Sequence, residues 1–149
     1  MPRRPSTLCS RDAEQGNFLA PPCPLYITDR LYSRRTLGDI QGAVDAHQAL
    51  LVDIRDHPTS HWRPAFRQPA LTAHFGERYV WCQALDNTNY KGGPIQLRDY
   101  PAGLAQMGAL LQRSPAVLLL CVCAAVEGCH RQVVGDQLSQ DLAVPLVHL

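Results

Sequence analysis

Two almost continuous apolar runs constrain the fold of this chain most: "ALLVDI" at residues 49–54, interrupted only by Asp53, and "AVLLLCVC" at residues 116–123. A short, almost continuous apolar core is what a strand buried on both faces requires. Segments of helical character lie between such runs. Leu37, Ile40, Val44 and His47 recur near helical spacing over about Thr36–Leu50, and Thr36 followed by Asp39 reads as a capped start. Further helices are expected around Ala70–Phe75, from about Ala102 to Gln112, and from Cys129 to about Asp141. Strands at Leu25–Thr28, Glu77–Leu85 and Pro145–Leu149 complete the alternation. This pattern predicts one three-layer α/β domain with a mainly parallel five-stranded sheet and helices on both faces. Right-handed crossovers leave few topologies open.

Composition narrows the class. The 149 residues suit one compact domain. Hydrophobic residues make up 46% and charged residues 18%, as in ordinary globular proteins. A formal net charge of +1 argues against a general attraction to nucleic acid or acidic membranes, so any such preference needs a local patch. Residues 1–24 hold five prolines and no periodicity, and read as a flexible arm leading to a domain over residues 25–149. The N-terminus lacks an apolar core of signal-peptide length, and the longest apolar stretch is too short to cross a bilayer. A soluble cytoplasmic protein without membrane contact is expected, with its six cysteines mostly reduced.

A parallel sheet binds its ligands beyond the carboxyl ends of its strands. Four polar segments follow the expected strands there: "TDRLYSRR", "DIRDHPTSHWR", "DNTNYKGG" and "CAAVEGCHR". The chemistry is expected on that rim.

Four ordered blocks, "ITDRLYSRRTL", "LLVDIRDHPTSHWRPAF", "YVWCQALDNTNYKGG" and "LLLCVCAAVEGCHRQVV", resemble those of the uncharacterised family DUF488. The resemblance spans roughly Leu25 to Leu149. It implies site positions at Ser33 and Arg35 in the first block, and at Asp53, Arg55, Pro58 and Ser60 in the second. In the last block it implies Cys121, Cys129, His130 and Arg131. It implies no particular reaction.

Three of the six cysteines fall within the nine residues from Cys121 to Cys129. A helix starting at or just before Cys129 would set that sulfur by unpaired N–H groups and the positive end of the helix dipole, which stabilises a thiolate. His130 and Arg131 would add to this, and the same amides suit a phosphate or carboxylate. The alternative is a Cys129 packed quietly under the sheet. Cys121 is a candidate redox partner, or a resolving thiol, for Cys129. Zinc held by Cys121, Cys123, Cys129 and His130 has suitable ligand types, but C-x-C-x5-C-H is not a familiar ligand spacing, so no cofactor is expected.

Asp53 and Arg55, two apart in a strand, point the same way. Asp53 is a candidate to orient His130 or Arg35; an internal ion pair that shapes the loop is the alternative. Arg55 and Arg35 would add positive potential for an anionic ligand. Tyr90 and Lys91, ahead of two glycines, suit stacking and phosphate contact.

Three functional readings follow. The first is an enzyme with a Cys129 nucleophile assisted by His130 and Asp53. It would act as a hydrolase or transferase on a phosphate-bearing or nucleotide-like substrate held by Ser33, Arg35, Arg55, Ser60, Tyr90, Lys91 and Arg131. The second is a non-catalytic module for nucleotide or nucleic acid. The third is a metal-binding or redox-sensing protein. The first is the expectation carried forward.

Overall fold

The computed structural model describes residues 25–27, 36–60, 63–89, 91–121 and 130–149. The arm expected over residues 1–24 lies outside them. In chain order the elements are β1 (Leu25–Ile27), α1 (Leu37–His47), β2 (Ala49–Asp53), α2 (Gln68–Phe75), β3 (Tyr79–Trp81), α3 (Tyr100–Arg113), β4 (Ala116–Leu120), α4 (His130–Leu142) and β5 (Leu146–His148). The strands lie in the order β3-β2-β4-β1-β5, and every pairing is parallel. The mixed α/β class with a parallel sheet is therefore as the alternation of apolar runs requires.

Local signals set the boundaries. Thr36 Oγ1 accepts from the Asp39 N–H at 3.1 Å, and Asp39 Oδ2 accepts from the Thr36 N–H at 2.8 Å, so the capping box is complete. Helix α1 stops sooner than the expected Leu50. Gln48 adopts the left-handed conformation at φ 51°, and Ala49 and Leu50 pass into β2. The third strand is also shorter than the expected Glu77–Leu85. The Cys82 N–H still bonds to the Asp53 carbonyl at 2.8 Å, and then Gln83–Leu85 coils into a 3-10 turn.

Strands β2 and β4 are buried at every position. Successive side chains of a strand point to opposite faces, and the core divides accordingly. Leu50, Val52, Ile54, Val117, Leu119 and Cys121 pack with Met107, Leu110 and Leu111 of α3 and with Val134 and Leu138 of α4. Ala49, Leu51, Ala116, Leu118 and Leu120 pack with Ile40 and Val44 of α1 and with Leu71 and Phe75 of α2.

Gly103 lets α3 close onto the turn after β3. A methyl group there would overlap Cγ and Cδ2 of Leu85, a fully buried side chain. Gly103→Ala should therefore cost about 2–3 kcal/mol through overpacking, which exceeds a helix-propensity gain of about 1 kcal/mol and leaves a net loss of about 1–2 kcal/mol. Urea unfolding checks this, and an unchanged or raised midpoint would contradict the packing described.

Candidate active site

All five strands run the same way, so the segments leaving β2, β3 and β4 emerge at one end of the sheet. Ile54 continues β2 there and bonds through its N–H to the Leu120 carbonyl at 3.0 Å. The strand register, Trp81 beside Asp53 and Asp53 beside Leu120, continues into a row of Cys82, Ile54 and Cys121. The three share one core cluster.

Cys121 and His130 meet at this row. Cys121 Sγ lies 3.4 Å from His130 Nδ1 and 3.7 Å from Nε2, and both residues are buried. His130 Nε2 lies 3.1 Å from the Ile54 carbonyl oxygen. A carbonyl only accepts, so this contact favours the tautomer with hydrogen on Nε2. Nδ1 is then the unprotonated nitrogen, and the sulfur, nearly equidistant from both ring nitrogens, lies against the ring rather than along the axis of that lone pair. A thiol, an imidazole and an oxygen that fixes the imidazole are the parts of a base-activated nucleophile.

Asp53 does something else. Its carboxylate is fully buried and takes two bonds from the Arg55 guanidinium, Nε to Oδ1 at 2.7 Å and Nη2 to Oδ2 at 2.6 Å. The Tyr79 hydroxyl donates to Oδ2 at 2.7 Å, and Arg55 Nη2 also donates to the Phe66 carbonyl at 2.8 Å. Burial, then the Asp53 charge, push the Tyr79 hydroxyl far above its ordinary pKa, so it stays a donor. The expected contact from Asp53 to His130 is not made. Asp53 belongs with Leu51 on one face of the sheet, whereas Cys121 belongs with Val52 and Ile54 on the other, because side chains alternate. The internal ion pair is what the structure contains. Arg55, expected to hold an anion, is 3% exposed and turned onto Asp53.

The other sequence candidates are only partly among the described residues. Ser33, Arg35, Tyr90 and Cys129 lie outside the described residues, as does Cys123 of the zinc alternative. Ser60 organises its own loop: its Oγ accepts from the Arg63 N–H at 3.0 Å and its carbonyl from Arg67 Nε at 2.8 Å. Lys91 is exposed, directly before Gly92 and Gly93, both at positive φ. Arg131 is fully buried in the first turn of α4. Among the described residues, no group of three or more His, Cys, Asp or Glu side chains is placed to hold a metal. None of their helices is long and apolar enough to cross a membrane.

The segments that follow β2 and β3 also carry a polar cluster that the sequence did not single out. Arg98 Nη2 lies 2.7 Å from Asp56 Oδ1 and 3.7 Å from Asp86 Oδ2. Asp56 also accepts from Gln83 Nε2 at 2.9 Å and contacts His57 Nδ1 at 2.8 Å. Burial opposes ionisation of Asp56, yet the bonds from Gln83 and His57 and the charges of His57 and Arg98 hold its carboxyl below the ordinary value. Asp86 is buried. Burial raises its carboxyl above the ordinary value, against the pull of His130's charge, and Asp56 adds a smaller push. Two neighbouring carboxyls are thus pushed in opposite directions, a pattern common at sites of proton transfer. The only signal in the sequence was the position of Asp86 in the segment after β3.

Removing one partner of a buried ion pair strands the other. Arg55→Met, which roughly keeps volume, should destabilise the protein by about 3–5 kcal/mol in chemical denaturation. A loss below about 1 kcal/mol, typical of an exposed pair, would contradict this role.

No curated protein matches the sequence, and no solved structure matches it either. One family model does, described as a domain of unknown function, DUF488, over residues 40–138. That span covers more than half of the chain and runs from within α1 to within α4, taking in Asp53, Arg55, Asp86, Cys121, His130 and Arg131. The chain belongs to the DUF488 family.

Proposed function

We propose that this protein is a cysteine-dependent enzyme in which His130 takes the proton of a neighbouring thiol. The observation that carries the reading is the contact of Cys121 Sγ with His130 Nδ1, with Nε2 fixed on the Ile54 carbonyl. Transfer of the thiol proton to Nδ1 leaves a thiolate beside an imidazolium. A thiolate is the nucleophilic form of cysteine, and an adjacent imidazolium stabilises it. Cys121 is 1% exposed, so a local opening precedes any contact with substrate.

The substrate class is phosphate-bearing or nucleotide-like. Support comes from basic side chains on the segments that follow the strands: His57, Arg63 and Arg67 after β2, and Lys91 and Arg98 after β3. An anion approaching that end of the sheet would meet them before the thiol. Hydrolase and transferase chemistry both fit a thiolate attacking an electrophilic centre whose leaving group departs with a proton from His130.

Cys129 is the nucleophile that the sequence suggested, and it adjoins the same histidine. Site-mapped alkylation with iodoacetamide between pH 6 and 9 separates the two thiols. The proposal expects labelling at Cys121 whose pH profile moves to higher pH, with at least a tenfold lower rate at pH 7, in His130→Gln. Labelling confined to Cys129, with Cys121 silent, would move the nucleophile to Cys129. Labelling of either that ignores His130 would sink the thiol–imidazole reading.

Cys82 is the internal control. Burial pushes its thiol up to about 11, so little thiolate forms at neutral pH. It should remain unlabelled in folded protein at pH 7 and react once the chain is unfolded. Labelling of native Cys82 as fast as that of Cys121 would mean that reagent access, and not thiolate formation, controls the profile.

A further inference from the structure

We propose that the amino ends of β2, β3 and β4 form a binding site for a small organic anion, whose carboxylate or phosphate headgroup is held by Arg113 and Arg78. The site lies at the end of the sheet opposite Cys121 and His130, and it stands independently of the thiol–imidazole reading.

The entry of each strand supplies one part of the site. Gln48 precedes β2, Arg78 precedes β3, and Arg113 ends α3 just before Ser114, Pro115 and β4. Strands β3, β2 and β4 are adjacent and parallel, so these entries lie side by side. Two bonds tie them down: Ser114 Oγ donates to the Gln48 carbonyl at 3.3 Å, and Arg78 Nη1 donates to Asp45 Oδ1 of α1 at 2.6 Å. These residues line a cavity of about 330 Å³, within the size range of small-ligand sites. The five residues of β2, each rising about 3.3 Å, separate it from the Ile54 carbonyl that fixes His130.

The wall of this cavity is rich in donors. Arg113 is exposed, and among the described residues its guanidinium has no hydrogen-bond or ion-pair partner. Arg78 uses Nη1 on Asp45, and its Nε and Nη2 make no further bond among the described residues. The one carboxylate in the wall, Asp45, is already taken through Oδ1 by Arg78 and by Gln41 Nε2. Two guanidiniums against one carboxylate leave a single positive charge in excess. The planar fork of a guanidinium matches the paired oxygens of a carboxylate or phosphate. Leu50 and Pro115 add an apolar side, so the fitting ligand is an oxyanion on a small apolar body and not a bare ion.

The one hydroxyl in the wall, that of Ser114, is tied to the carbonyls of Gln48 and Ala116, at 3.3 and 3.0 Å, which makes this a site for binding and not for turnover. Asp45 sets the strength of that binding. Its charge opposes an incoming anion and occupies Arg78, so neutralising it should strengthen the site. The pair is largely exposed, and the gain is accordingly modest.

The experiment is an amide NMR titration of the full chain with phenyl phosphate, benzoate and, as the uncharged control, phenol. Saturable shifts are expected at Gln48, Ala49, Arg78 and Ser114 with phenyl phosphate, with benzoate or with both, and the stronger of the two names the headgroup. Phenol should produce far smaller ones. Arg113→Gln alters an exposed side chain on which the fold does not depend, and should weaken binding about tenfold or more, the size of one lost charged hydrogen bond. Asp45→Asn should tighten it by about two- to fivefold. Equal affinity in folded Arg113→Gln, weaker binding in Asp45→Asn, or shifts with phenol as large as with the anions would overturn the site. No saturable shift with either anion at millimolar concentration would overturn it too. Shifts confined to Ile54, Cys82 and Cys121 would place the anion at the candidate active site instead and equally overturn this one.

Discussion

The pairing of β2 with β4 sets the position of nearly everything else in this structure. Both strands are buried along their whole length, and their register fixes which side chains face which half of the core. Odd and even positions of β2 take opposite faces, so Asp53 and Ile54, adjacent in sequence, serve different structures. Ile54 presents a carbonyl to His130 and packs with Cys121. Asp53 turns the other way, towards Tyr79, Arg55 and the segment containing Phe66.

That second structure is a buried polar core made from three side chains and one carbonyl. An ionised pair shielded from water is stable only when its hydrogen bonds are well made. Here both carboxylate oxygens are used, Oδ1 by Arg55 Nε and Oδ2 by Nη2 and the Tyr79 hydroxyl. The arrangement ties the strand end to the segment that follows it, since Arg55 also holds Phe66 while its own carbonyl accepts from Trp81 Nε1 at 2.7 Å. Holding Arg55 in place at the strand end in turn fixes the adjacent Ile54 carbonyl, on which the imidazole rests. The ion pair thus bears on the candidate site through the backbone, from the opposite face of the sheet.

What the sequence made legible was whatever depends on side-chain pattern. Continuous apolar runs announced parallel strands, Thr36 with Asp39 announced a helix start, and the spacing of Asp53 and Arg55 announced a shared direction. The region of the candidate site was legible too, through the polar segments that follow the strands. Its wiring was not. The atom that orients His130 is a backbone carbonyl, which no residue letter records. Asp86 came into view only after a 3-10 turn replaced the expected second half of the third strand. Asp53 looks like a partner for His130 because a charge inside a strand needs one, yet its side chain takes the face opposite that of Cys121. The sequence ranks Cys121 behind Cys129, since the nearness of Cys121 to His130 depends on how β4 and α4 come together in space.

The central claim is that His130 governs the protonation of Cys121. The most direct measurement is an NMR titration of the Cys121 13Cβ resonance, which changes as the thiol ionises, in wild-type protein and in His130→Gln. The account predicts that Cys121 ionises at distinctly lower pH when His130 is present. Superimposable titrations in the two proteins would contradict it.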